Sequence, residues 1–279
     1  MRLIYIVGMS HSGSTLLNLM LNAHPQIISV GELIDLSRRA QHQNPKRRTY
    51  AACACGAPSL LECEFWSNVN ARVLRRDGKS LADLDILNDR SLDVRNASTA
   101  VVLRAISEVS GKDLIVDSSK RPSRLSYLMQ LKGLEVYPIH LIREARGQIF
   151  SLMRKNGAFL KHVYGYVRIH EQIRQITKQV PHSVAYYEDL VLYPERTLSR
   201  LLQPLALEFD PIQLEWGAQV QHTLGGNKLR WQPRGLMLDE RWREGLSRPR
   251  QSVIGLLTAY TRHSLTASQS ARAGHFVPQ

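Results

Sequence analysis

Leu3-Ile4-Tyr5-Ile6-Val7-Gly8-Met9-Ser10-His11-Ser12-Gly13-Ser14-Thr15-Leu16-Leu17 is the stretch on which the fold turns. Its first five residues are a continuous apolar run of the length of a buried strand. Leu16, Leu17, Leu19, Met20 and Leu21 then supply the apolar content of a helix that ends near Ala23-His24-Pro25. Between the two lies a Gly/Ser turn. Glycines at 8 and 13 leave the backbone free of side chains, and the helix start offers unpaired N–H groups and the positive end of a dipole. Strand, turn and helix together predict an anion cradle. Taken alone, the segment also reads as a plain turn with a capped helix.

Working outward, strands are expected at 27–30, stopping at Gly31-Glu32, at 113–116, leading into Asp117-Ser118-Ser119-Lys120, at 135–142 and at 183–187. Pro138 weakens the fourth, because proline cannot donate to a ladder. Helices are expected at 121–132, 145–155, 159–179, from Pro194 through Leu198, Leu201, Leu202 and Leu205, and at 249–263. Strands alternating with helices predict an α/β, three-layer fold: a central, mostly parallel sheet with helices on both faces and a P-loop-like nucleotide-binding core. A single domain over 1–263, a variable insert at about 41–110 and a poorly ordered tail at 264–279 complete the expected organisation.

The chain has 279 residues, 43% hydrophobic and 22% charged, which fits a globular protein and excludes collagen, coiled coil and wholesale disorder. The opening apolar run falls short of a secretory h-region of about 7–15 residues or a span of about 20, so a cytoplasmic protein without a membrane span is expected. Lys and Arg number 37 against 24 Asp and Glu, a net +13 that favours anionic partners. The basic residues are scattered and carry no RNA-binding signature, so nucleic acid is not expected as a partner. Oligomeric state is not written in the sequence. Cys53, Cys55 and Cys63 form an odd, closely spaced set. They read first as reduced thiols stabilising a loop, and second as zinc ligands with His42 as a possible fourth.

The phosphate loop of NTPases reads G-x-x-x-x-G-K-[ST]. Gly8, Gly13 and Thr15 fit this spacing, but Ser14 stands at the lysine position. That lysine reaches the β- and γ-phosphates, so a 5′-substituted nucleotide with fewer charges is a better ligand than a triphosphate. A second anion site is expected after the fourth strand. Arg143 stands at its end, and Ser151, about two helical turns on, can face the same side. Arginine beside a hydroxyl makes a good phosphate clamp, because the guanidinium is a planar, two-pronged donor.

Together these segments resemble the sulfotransferase family that uses 3′-phosphoadenosine 5′-phosphosulfate (PAPS). His11-Ser12-Gly13-Ser14-Thr15-Leu16-Leu17 is similar to that family's 5′-phosphosulfate loop, and Arg143 with Ser151 to its 3′-phosphate motif. Asn22-Ala23-His24-Pro25 followed by Gly31-Glu32 resembles the tyrosylprotein and carbohydrate branches more than the small-phenol enzymes. Tyr187-Glu188-Asp189-Leu190 with Pro194-Glu195 resembles the segment before the late helix, and Gly226-Asn227-Lys228-Leu229-Arg230 the loop that closes over the nucleotide.

The resemblance implies in-line transfer of a sulfuryl group from PAPS to a hydroxyl, or second an amine, with no metal required. Ser12, Gly13, Ser14 and Thr15 would donate to the leaving 5′-phosphate, and Arg143 and Ser151 would hold the 3′-phosphate. Tyr187, Asn227 and Arg230 fall where the family contacts the adenosine or the 3′-phosphate. His11 departs from the family pattern, which has Lys or Arg there. Histidine can still donate to the bridging oxygen, with a charge that depends on pH near neutrality. Lys120, in Ser119-Lys120-Arg121-Pro122, resembles the Lys-x-Pro of the tyrosylprotein branch and would supply fixed charge. Glu32 is the candidate general base, with His11 as the second candidate. The implied acceptor is a small molecule, glycan precursor or lipid head group. Two other classes stay open: a P-loop kinase-like nucleoside-phosphate enzyme, with Asp117 as its magnesium aspartate, and a nucleotide-binding protein without catalysis.

Overall fold

The computed structural model describes residues 1–41, 52–84, 86, 92–232, 235–261 and 263, with backbone alone for 92–96. The expected tail at 264–279, part of the 41–110 insert and His42 lie outside the described residues. The central element is β1 (Arg2–Val7), whose residues Leu3 to Val7 are all fully buried. It pairs in parallel with β3 (Leu114–Lys120) on one side and β4 (Glu135–Ile142) on the other. Beyond them lie β2 (Ile27–Gly31) and β5 (Ser183–Tyr186), also parallel, giving the order β2-β3-β1-β4-β5.

Alternation along β1 divides the core. Leu3, Tyr5 and Val7 face a cluster containing Trp66, Val69 and Val73 of α3 (Glu64–Asp77) and Val102, Leu103 and Ile106 of α4 (Leu92–Ser110). Ile4 and Ile6 face the other side, against Leu17, Met20 and Leu21 of α1 (Ser14–Ala23) and Leu198, Leu201 and Leu202 of α9 (Pro194–Leu202). A strand buried on both faces needs helices on both, which is why β1 reads as an unbroken apolar run. The helices of the 41–110 segment thus share the main core with β1. The remaining α-helices among the described residues are α2 (Leu36–Ala40), α5 (Pro122–Leu128), α6 (Ala145–Asn156), α7 (Phe159–Thr177), α8 (Tyr187–Leu192), α10 (Trp242–Gly245) and α11 (Arg248–Leu257).

Two features of the strands bear on the site, and only the second departs from expectation. Pro138 sits inside β4, but the ladder to β5 starts only at Ile139, so the missing donor is tolerated. β3 continues to Lys120, four residues past its apolar part. The buried Asp117 makes this possible: it accepts from Arg124 Nε at 2.9 Å and from the Ser119 N–H at 2.9 Å. A register shift between Tyr5 and Val7, opposite this stretch, then places Lys120 beside Val7. Strand order reverses about β1, so the crevice at the carboxyl ends of β1, β3 and β4 is where such a sheet receives its ligand.

Candidate active site

The turn between β1 and α1 has no room for other residues at its glycines. Gly13 has φ 94, and a Cβ there would stand 2.4 Å from the Tyr187 ring. At Gly8 a Cβ would stand 2.5 Å from the Leu141 carbonyl oxygen. His11 adopts φ 67 despite its side chain, a conformation that costs about 1–3 kcal/mol and concentrates at functional sites. Ser12 is fully buried, and its Oγ has no hydrogen-bond partner among the described residues. Such an orphan costs about 1–3 kcal/mol, which an oxygen of a bound phosphate or sulfate would return. No side chain caps α1, and its first turn holds no acidic residue. The plain capped turn is therefore not what forms; the helix start keeps its donors for an anion.

Glu32 follows β2 directly and is locked there by its own N–H, which donates to the Leu224 carbonyl at 2.7 Å. Lys120, also left-handed at φ 68, donates from Nζ to Glu32 Oε1 at 2.7 Å and to the Ser118 carbonyl at 3.1 Å. A distant segment closes the arrangement. The Gly226 N–H donates to the same Glu32 Oε1 at 3.0 Å, and the next amide, of Asn227, donates to Thr15 Oγ1 at 3.2 Å. Two consecutive amides thus tie the carboxylate to the end of the glycine turn. Gly225 and Gly226 have φ 72 and 82, and Cβ atoms on them would stand 2.7 Å from Glu32 Cδ and 2.8 Å from Thr15 Oγ1. Burial by itself raises the Glu32 pKa, but the Lys120 ammonium and the Gly226 amide outweigh it and hold the carboxyl below its ordinary range.

At the other end of the turn, Arg143 leaves β4 with its guanidinium 4.7 Å over the Tyr187 ring. Its Nη1 donates to the His11 carbonyl at 3.1 Å, and its Nη2 to the Asp239 carbonyl at 3.1 Å and to Asp239 Oδ2 at 3.0 Å. Hydrogen bonds from Arg241 first, and Arg143 second, hold Asp239 far below the usual carboxylate range. Burial, followed by the charges of Lys155, Arg143 and Lys120, lowers His11 to about 4. The imidazole is therefore neutral at neutral pH. This corrects the expectation of a charge that switches near neutrality: the surrounding cations already disfavour another.

A family model described as the sulfotransferase family matches residues 4–211. The chain belongs to the sulfotransferase family. Solved structures share its fold. The sulfotransferase domain of the Synechococcus PCC 7002 olefin synthase is 20% identical, with a TM-score of 0.62, over 100% of this chain and 96% of that one. The sulfotransferase domain of the curacin biosynthetic pathway is 20% identical, with a TM-score of 0.55, over 92% and 96%. A Mycobacterium avium sulfotransferase is 11% identical, with a TM-score of 0.52, over 94% and 76%. No curated protein matches the chain by sequence. This enzyme is accordingly a PAPS-dependent sulfotransferase, and no helix among its described residues is long and apolar enough to cross a membrane.

In this sulfotransferase the residues singled out in the sequence fall into two groups and one outlier. His11 and Gly13 meet Arg143 and Tyr187 at one end of the turn. Thr15, Glu32, Lys120 and Asn227 meet at the other. Ser12 and Ser14 are buried within the turn and the first residue of α1, and Ser151 is half-buried in α6, the helix after Arg143. Arg230 is the outlier. Its Nη1 donates to the Thr223 carbonyl at 3.3 Å, its guanidinium lies 3.7 Å over the Trp231 ring, and burial lowers it to about 10. It lines a cavity of about 350 Å³ with Cys55, Gly56 and Trp216. Sequence reasoning missed Asp239, which shares no spacing with Arg143. It also missed the seat of Gly225 on Glu32, for which the adjacent glycine pair was the available signal.

Proposed function

We propose that this enzyme transfers the sulfuryl group of PAPS to an acceptor hydroxyl between the glycine turn and Glu32. The observation that carries this reading is the pair of consecutive amides, Gly226 and Asn227, that hold Glu32 and Thr15 side by side. It supports the reading by holding a carboxylate next to the end of the turn on which a donor nucleotide would lie. As the acceptor oxygen bonds to sulfur, the bond from sulfur to the bridging oxygen of the 5′-phosphate breaks. The hydroxyl proton goes to Glu32, and the electron pair goes to the phosphate. The Ser12 hydroxyl and the first amides of α1 would meet that growing charge already oriented, the condition under which such donors accelerate transfer. His11 would donate to the bridging oxygen, and Lys120 would supply the fixed positive charge.

Arg143 and Ser151 would hold the 3′-phosphate, with the phosphate taking the place of Asp239 on the guanidinium. Tyr187 and Asn227 would border the nucleotide. Arg230 would reach the nucleotide as well, in the role that the resemblance implies. None of these steps calls on a metal. The kinase-like alternative loses its magnesium aspartate, because Asp117 is engaged by Arg124 and backbone amides. We place the acceptor among small molecules, glycan precursors and lipid head groups. We place the protein in the cytoplasm, in keeping with three cysteines outside any disulfide. Residues 1–263 would act as one domain, with the 41–110 segment shaping the acceptor side.

Calorimetry with the 3′,5′-bisphosphate product and with ATP tests the nucleotide half. Tight binding of the first and weak binding of the second is expected, and the reverse order would defeat the reading. A panel of hydroxylated acceptors incubated with PAPS and no added metal, read for a mass gain of one SO₃, tests the transfer.

A further inference from the structure

Cys53, Cys55 and Cys63 converge on His222, a residue 159 positions beyond Cys63. We propose that these four side chains bind one structural zinc ion, which staples the 53–63 loop to the segment lying over Glu32. Their four donor atoms all stand within 4.8 Å of one another. His222 Nδ1 is 3.3 Å from Cys63 Sγ and 3.9 Å from Cys53 Sγ, and Cys55 Sγ is 3.6 Å from Cys63 Sγ. Around a tetrahedral zinc, with bonds of about 2.3 Å to sulfur and about 2.0–2.1 Å to nitrogen, ligand atoms stand about 3.5–3.8 Å apart. The observed separations bracket that value and lie far beyond the roughly 2.05 Å of a disulfide.

Four nitrogen and sulfur donors close the coordination sphere, which marks a structural rather than a catalytic ion. Neighbouring groups orient the ligands as such sites require. The Phe65 ring stacks on His222 at 5.0 Å and 13°. Trp66 Nε1 donates to the His222 carbonyl at 2.8 Å, and Trp231 Nε1 to the Cys53 carbonyl at 3.0 Å. Cys53 and Cys63 are buried and Cys55 is exposed, which leaves the ion a way in. A loop held by thiols alone would have no use for the imidazole. His222 stands two residues before Leu224, which bridges Gly31 and accepts from the Glu32 N–H. The ion would thus anchor the chain from which Gly225 and Gly226 reach the carboxylate.

The test uses the full chain, purified from zinc-supplemented cells and dialysed without chelator. Elemental analysis should find about one zinc per chain, and cobalt(II) exchanged into the protein should show the intense visible bands of tetrahedral thiolate coordination. Cys63→Ser and His222→Ala should each retain less than about a tenth of the zinc. Should both variants fail to fold, the wild-type protein decides: a strong chelator should lower its Tm, and added zinc should restore it. A folded wild-type chain without zinc, indifferent to chelator and without cobalt bands, overturns the proposal. Because none of these readouts involves sulfuryl transfer, the result stands apart from the outcome for the donor and acceptor.

Discussion

Gly13 on the amino-terminal turn and Gly225-Gly226 on the late strap share positive φ and a lack of room for any side chain, yet they serve different ends. The turn is made of neighbours in sequence and leaves its amides and the Ser12 hydroxyl open to a ligand. The strap comes from nearly two hundred residues away and spends its amides on the enzyme's own Glu32 and Thr15. Backbone donors can thus bind an anion directly, or fix the side chain that acts on it. The second use costs the carboxylate some basicity, since Lys120 and Gly226 both favour its charged form. It secures position in return.

The largest effect should come from the residue that both segments surround. Glu32→Gln should cut turnover by about 10²–10⁴ while leaving affinity for the bisphosphate product nearly unchanged, as read by steady-state rates beside calorimetry. Unaltered turnover would hand the base role to His11. Next comes the far end of the turn. Arg143→Lys, which keeps charge but loses the two-pronged donor, should weaken binding of the bisphosphate by about 10–100-fold. Its affinity for the same nucleotide lacking the 3′-phosphate should fall far less, and an equal loss for both would remove Arg143 from that subsite.

Gly225→Ala tests the strap. Its φ of 72 and the 2.7 Å approach to Glu32 Cδ predict a loss of about 1–3 kcal/mol in a denaturant titration. A neutral result would mean that the strap does not rest on the carboxylate. The smallest effect concerns pH. His11 lies at about 4 in the free protein because burial and nearby cations disfavour its charge. A bound polyanion reverses that balance and raises its pKa, so binding takes up a proton. Affinity should then be strongest at low pH and fall as pH rises through the raised value, by at most about tenfold per unit. His11→Asn should flatten that slope in calorimetric titrations.

What the sequence disclosed follows the same division. β1, the glycine turn and α1 were legible because strand periodicity, turn composition and helix start are local, and β4 was bounded to the residue at 135–142. The polar half of β3 was not, because Asp117 belongs in a strand only once Arg124 and two backbone amides surround it. The left-handed backbones of His11 and Lys120 leave no trace in residue type. Asp239 and His222 were invisible for a related reason: each gains its meaning from a partner 96 or 159 positions away. The cysteine spacing pointed instead to His42, the nearest histidine in the chain.

One guanidinium, finally, touches both the Asp239 carboxylate and the carbonyl of His11. With Arg143 as the proposed grip on the nucleotide's distal phosphate, recognition there would be wired to the backbone that shapes the reacting end. A cosubstrate carrying that phosphate would draw the guanidinium off Asp239, whereas an analogue missing it would leave the Asp239 pairing in place. Discrimination should then register in the speed of a saturated enzyme as well as in its occupancy.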